Sequence, residues 1–321
     1  MGRKKTKRGV PCPVCGHNKT ACHGFDKKGM QRYKCARCKE AGRSWTFNKR
    51  KGTVFYRLRI SVKEVMRISQ AYMENGSVAS LSRTFGHKPK TIDRLLDRIA
   101  SQCEKVNDKT LQNLEVFCVM LDELWSYVQK KENEQWGWNA IEAGTKLLLA
   151  FAIGPWTKKT AKILIKVLRK RIKHIWIFIS DGLEHYIKYI ARLFKHATYV
   201  QLVKHYSGRK LESLEVRHIQ GLPVAVVEEL MRLHGLGNSV HTAFVERLNL
   251  TERQSSSKMR RKTLCYAKRL HRLCNYMHMF QAYYNFVRPH MSLKVDRVKR
   301  TPAMASRLTD HIWTWNELLA Q

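Results

Sequence analysis

The chain has 321 residues, 44% of them apolar, enough for one sizeable core with one or two small modules. Lys and Arg total 61 against 25 Asp and Glu, and the net charge of +36 would make a compact protein strongly self-repelling without a polyanionic partner, which points to nucleic acid. No apolar run is long enough for a membrane-spanning helix, and the basic start at residues 1–8 leads into a cysteine motif rather than an apolar stretch, so neither a membrane anchor nor a secretory leader is expected.

Cys12, Cys15, Cys35 and Cys38 form the pairs CPVC and CARC, nineteen residues apart, and the other five of the nine cysteines are scattered. That pattern suits metal binding in a reducing compartment better than a disulfide framework. Each pair closes a tight knuckle, and four thiolates surround one Zn²⁺ tetrahedrally. Residues 1–50 are therefore expected to form a zinc ribbon whose metal supplies much of its folding energy. Gly16 follows the first knuckle, residues 32–34 are expected to form a strand, and Trp45 and Phe47 to pack the far side. Cys22 and His23 read as ordinary residues between the knuckles. Fifteen Lys or Arg against two acids in this segment suit contact with DNA.

Residues 61–100, within a second module at 55–100, read as helical. Val62, Val65, Met66, Ser69, Tyr72 and Met73 recur at helical spacing. Asn75 and Gly76 end that helix, Ser77 caps the next, and Gly86 makes a turn into a third helix over 88–99 with Ile92, Leu95, Leu96 and Ile99 inward. Two short helices about a glycine turn form a helix-turn-helix pattern in which Lys88, Lys90, Thr91 and Arg94 are placed to meet base edges or phosphates. Residues 101–115 read as a polar connector with partial helix.

The stretch FCVMLDELWSYV at 117–128 is an apolar run that delivers Asp122, and IWIFISDG repeats the device at Asp181. A bounded apolar run suits a buried strand. The strands expected at 117–128, 136–141, 147–153, 175–179 and 197–200, with helices at 158–172 and 184–194, follow the order β-β-β-α-β-α-β. That is the order of a ribonuclease-H-like α/β fold, whose first and fourth strands lie side by side; by that analogy Asp122 and Asp181 become neighbours. Paired carboxylates are hard oxygen ligands suited to Mg²⁺ (or Mn²⁺). Residues 205–237 read as an insertion, helical at 224–233. On the helix expected at 240–254, Glu246, Asn249 and Arg253 share one face. Glu246 is the expected third metal ligand and Arg253 a phosphate contact, while Glu252 falls on another face. Residues 253–300 carry thirteen Lys or Arg and one acid, a basic helical tail suited to a DNA backbone; residues 301–321 close the chain.

In this order, CPVC…CARC, GSVASLSRTFGHKPKTIDRLLDRI, LDELWSYV, ISDG, HTAFVERLNLTER and MRRKTLCYAKRLHRLCNYMHMFQAYYNFVRPHMSL resemble a DDE-type transposase of the insertion-sequence-one family in one reading frame, over nearly the whole chain. YNFVRPHMSL also resembles the end of transposases and integrases of related DDE families. The match is poorest between residues 203 and 237. The resemblance implies a multidomain protein: a zinc ribbon (1–50) and helix-turn-helix (55–100) that recognise terminal inverted repeats, then a catalytic domain (116–300) carrying Asp122, Asp181 and Glu246. It implies Mg²⁺-dependent cutting of element ends and joining of their 3′-hydroxyls to target DNA, by an oligomer on double-stranded DNA in a bacterial or archaeal cytoplasm. A ribonuclease-H-type nuclease and a non-enzymatic DNA-binding regulator are the alternatives.

Overall fold

The structure, a computed structural model, describes residues 10–27, 29–208 and 210–321; the basic start at 1–8 lies outside them. Two compact units are present, a small one ending at Met66 and including Leu319–Gln321, and a large one from Arg67 to Leu318.

In the small unit β1 (Thr20–Phe25), β2 (Gln31–Cys35) and β3 (Thr46–Asn48) form an antiparallel sheet, with the short helix α1 (Ala36–Glu40) between the last two strands. Tyr33 and Phe47 are opposite each other in register and their rings stack at 5.7 Å. With Trp45 they pack against the four expected cysteine ligands, forming a core of a few residues. Gly16 takes φ +68 and its N–H donates to the Cys12 carbonyl at 2.8 Å. That left-handed conformation is the one glycine adopts without steric cost.

Helix α2 (Val62–Met73) runs through the boundary between the units. Ser77 opens α3 (Val78–Phe85) with a reciprocal cap to Ser80, and Gly86 closes it in the left-handed conformation. Pro89 then starts α4 (Pro89–Thr110), where its missing N–H costs nothing. This helix is twice the expected length. Gln102, Cys103, Val106 and Asn107 continue the buried stripe begun by Ile92, Leu95 and Ile99, so the partial helix expected within 101–115 is the second half of α4. Polar composition concealed the periodicity.

The large sheet comprises β4 (Leu114–Val128), β5 (Lys130–Glu142), β6 (Leu148–Gly154), β7 (Ile172–Asp181), β8 (Thr198–Ser207) and β9 (Lys210–Gln220) in the spatial order β6-β5-β4-β7-β8-β9. β4 is antiparallel to β5 and parallel to β7, and β7 is parallel to β8. Helices α5 (Lys158–Arg171) and α6 (Ile187–Leu193) make the crossovers. Their Leu164, Ile165, Leu168 and Ile190 join Val119, Leu121, Trp138 and Phe178 of the sheet in one buried cluster; a leucine fully buried there contributes roughly 1.5–3 kcal/mol. Residues 205–220, expected as part of an insertion of mixed polar and helical character, are largely strand. β8 runs on to Ser207 and turns into β9 as an antiparallel pair, whose outer residues are exposed and polar enough to hide the strand alternation. Helix α7 (Val224–Leu233) follows at the expected place.

The other face of the sheet receives α8 (Ala243–Ser255) against β4 and β5, and α9 (Leu270–Ala282) against β6 and α4. α9 continues as a π-helical turn at Tyr283–Val287. Gln281 and Asn285 donate to the Leu148 carbonyl at 2.9 and 3.0 Å, fixing that end of the helix to the sheet. Thus α3 and α4, expected as part of a separate module, share the compact unit of the large sheet. The terminal segment is also structured, with α10 (Pro302–Ala305) and α11 (Trp315–Ala320), and Trp313 stacks on Phe286 at 4.6 Å. No helix among the described residues is long and apolar enough to cross a membrane.

Candidate functional site

Asp122 is not at the end of its strand. β4 runs six residues further alongside β5, whereas β7 stops at Asp181 and its last pair with β4 is Leu121 with Ser180. The site opens where the parallel neighbour ends, and this places Asp122 beside Asp181. Alternation along β4 sends the next two side chains to opposite faces. Asp122 meets α8, where the Asn249 amide donates to its Oδ2 at 2.7 Å. Glu123 meets the Tyr186 hydroxyl, which donates to its carboxylate. Oxygens of Asp122, Glu123 and Asp181 nevertheless lie within 4.8 Å of one another.

Glu246 lies in the first turn of α8 and shares with Asp122 and Asp181 a cleft of about 510 Å³, also lined by Trp156, Lys204 and Tyr206. It stands outside the tight acidic group. Lys204 Nζ is 2.6 Å from its Oε1, and Thr242 donates to the same oxygen at 2.8 Å. Sequence reasoning missed Glu123, Lys204 and the support behind Asp122. In that support Asn139 donates to Asn249 Oδ1 at 2.8 Å, so two amides in series orient one carboxylate. Asn249, three residues after Glu246 on the same face, was the available signal. Lys204 lies on a strand that the polar composition concealed.

Burial and mutual repulsion dominate the electrostatics of this acidic group. Burial and then the Asp181 charge push the Asp122 carboxyl up to about 7. Burial also raises Asp181, and burial with the Asp181 charge holds Glu123 well above the usual range. At Glu246 burial pulls upward but is outweighed by the Lys204 and Thr242 hydrogen bonds, leaving it below its ordinary value. Buried oxygen donors that repel one another fit a divalent cation such as Mg²⁺.

At the other candidate centre, Cys12 and Cys38 sulfurs are 3.6 Å apart, as are those of Cys15 and Cys35, and all four gather within 4.8 Å. Tetrahedral thiolates at Zn–S distances of about 2.3 Å stand roughly 3.8 Å apart, so the cluster fits zinc. Burial at Cys12 is outweighed by hydrogen bonds from the Val14 and Cys15 backbone, which bring it to about 7. Burial and the neighbouring thiols push Cys38 up to about 12. Cys22 is exposed, His23 lies half-buried against the Trp45 ring, and both are outside the cluster. Zinc content measured on purified protein should fall from about one per chain, the count for a four-thiolate site, to near zero in Cys35→Ser; unchanged content would remove the assignment.

Lys88, Lys90, Thr91 and Arg94 are all exposed on the first turns of α4. Lys90 and Arg94 line a second groove, opposite the segment after α8. Arg253 is turned back on its own chain, donating to the Met259 carbonyl at 3.1 Å. Glu252 is fully buried on the face away from Glu246.

Residues 115–220 match the IS1 transposase family. The insertion element iso-IS1n protein InsB of Shigella dysenteriae is 26% identical over 148 residues, 46% of this chain and 81% of that protein. The family match begins at β4 and ends with β9, so it contains Asp122, Glu123 and Asp181 and stops before Glu246.

Proposed function

We propose that the chain is a DDE-type transposase that cuts the ends of an insertion sequence and joins them to target DNA. The observation that carries this reading is the pair Asp122 and Asp181 on adjacent parallel strands, within a stretch similar to the IS1 transposases. The sheet order supports a ribonuclease-H-like core, because the third, second, first, fourth and fifth strands lie in that sequence across it. The net charge of +36 supports a DNA substrate, and the four-cysteine ribbon with α3 and α4 supports duplex recognition over the nuclease alternative. Lys88, Lys90, Thr91 and Arg94 are the proposed contacts of the helix-turn-helix, with Arg253 a further phosphate contact once it leaves the Met259 carbonyl.

Asp122 and Asp181 would hold Mg²⁺, with Glu246 or Glu123 completing the set. Bound there, the metal would supply Lewis acidity for two in-line phosphoryl transfers. In the first, water displaces the 3′-oxygen at the element end; in the second, that 3′-hydroxyl displaces a 3′-oxygen of target DNA. Asn249 holds the Asp122 carboxylate in one orientation through both. Lys204 places an ammonium beside the cleft, suited to a phosphate oxygen. The half-exposed Glu246 is free to turn between that lysine and the acidic pair.

The test is cleavage and strand transfer on duplexes taken from the DNA flanking the gene. Full-length protein should cut at inverted repeats only with Mg²⁺ or Mn²⁺. A chain lacking residues 1–52, which leaves α2 to α4 intact, should lose part of its preference for end DNA over scrambled duplex and retain salt-sensitive binding. DNA binding without cleavage in full-length protein would leave only the regulator.

A further inference from the structure

Between the first turns of α4 and the irregular segment after α8 lies a groove of about 920 Å³, larger than the acidic cleft. Its walls carry Lys90, Arg94, Lys258, Lys268, Arg269 and Arg272. The acid among them, Asp93, already pairs with Arg272 at 3.5 Å. The exposed Tyr266 ring forms part of the lining, and the Lys258 ammonium caps the buried Tyr72 ring at 4.8 Å.

The outer wall is a strap, residues 257–269, held away from the helices by the far end of β4. Ser126 donates to the Lys258 carbonyl at 2.9 Å, Tyr127 to that of Thr263 at 3.0 Å, and the Gln129 N–H to that of Ala267 at 2.9 Å. Leu264 stands on this tethered strap 96% exposed, between the basic runs Arg260–Arg261–Lys262 and Lys268–Arg269. An isolated leucine held out among cations is not placed there by core packing.

We propose that this groove binds an unpaired DNA strand, with Leu264 as the wedge that parts it from the duplex. The proposal rests on the reading of the chain as a DNA strand-transfer enzyme. Cations that follow a backbone beside aromatic faces that accept bases are the means by which proteins hold single strands. Apolar side chains inserted between base steps are the means by which they unstack a duplex. The volume, at the upper end of the ~300–1,000 Å³ of small-ligand sites, takes a few nucleotide units and not a duplex. Position agrees as well: from Glu246 to the end of α8 is ~14 Å, about four nucleotides of one strand. The separated strand would therefore begin close to the bond being cut.

The experiment measures binding of full-length protein to a fluorescein-labelled oligothymidylate, and to blunt and forked duplexes of equal length, by anisotropy. Lys268→Ala/Arg269→Ala should weaken oligothymidylate binding about tenfold, whereas Lys158→Ala/Lys159→Ala, removing equal charge on α5, should not. Leu264→Ala, which touches no core, should melt as wild type and lose most of the preference for forked over blunt DNA. Unchanged strand affinity in the first variant, or unchanged fork preference in the last, overturns the proposal. So does displacement of the oligonucleotide by polyglutamate as readily as by DNA, since the groove would then be a mere polyanion surface. If wild type binds in this way but never cuts, the groove stands and the transposase reading falls; if it cuts while the groove variants bind as wild type, the reverse holds.

Discussion

Asp122→Asn and Asp181→Asn should each reduce Mg²⁺-dependent cleavage of end DNA by roughly 10²–10³-fold or more, the loss typical of removing a preorganised electrostatic group, while leaving DNA binding intact. Both side chains keep their size, and an asparagine at 122 still accepts from Asn249, so the fold is spared. The third acid is the sharper question. Glu246 faces the shared cleft but is paired with Lys204; Glu123 is in the tight group but bonded to Tyr186. If Glu246 is the ligand, Glu246→Gln should be as inactive as the aspartate variants and Glu123→Gln should retain most activity. The opposite pattern, measured on folded variants, would move the third ligand to Glu123. Full activity in either aspartate variant would remove the metal mechanism.

Much of this arrangement was legible in the chain because hydrophobic runs and special residues announce themselves. The strands delivering Asp122 and Asp181 are apolar on both faces, as buried central strands must be, and Ser77 and Gly86 marked the ends of α3. The failures share one cause. The second half of α4, and the second half of β8 with β9, are polar segments whose order comes from partners distant in sequence: α9 in one case, the edge of the sheet in the other. A pattern window sees no apolar stripe there and reads connector or insertion. The same blindness hid Lys204, which lies on the polar half of β8. Glu123 was hidden differently. Strict alternation sends it to the face opposite Asp122, and only the end of β7 lets a long side chain approach Asp181 from there.

Stability should also depend strongly on pH when no divalent ion but zinc is present. The Asp122 carboxyl is displaced from 3.8 to about 7 and that of Glu252 from 4.5 to about 8, by burial in both cases. For a carboxyl raised on folding, stability is fully present below the unfolded value and is lost as pH rises through the folded one. The window therefore runs from about pH 4 to about pH 8, and stability falls across it. The two displacements correspond to at most ~4 and ~5 kcal/mol. Denaturant midpoints should show Asp122→Asn and Glu252→Gln level with wild type near pH 4 and more stable than it at pH 8.5; comparing variants at one pH cancels the histidines and the large positive charge. Saturating Mg²⁺ separates the two. It should erase the advantage of Asp122→Asn, because it neutralises the acidic cleft of wild type, and leave that of Glu252→Gln untouched, because Glu252 is sealed beside the Asn139 amide behind the site. Glu252→Gln should also cut DNA within about threefold of wild type, since it replaces a neutral acid by a neutral amide of equal size. A folded Glu252→Gln that no longer cuts, or an advantage of Asp122→Asn that survives Mg²⁺, would mean that the metal is held elsewhere than at the junction of β4 and β7.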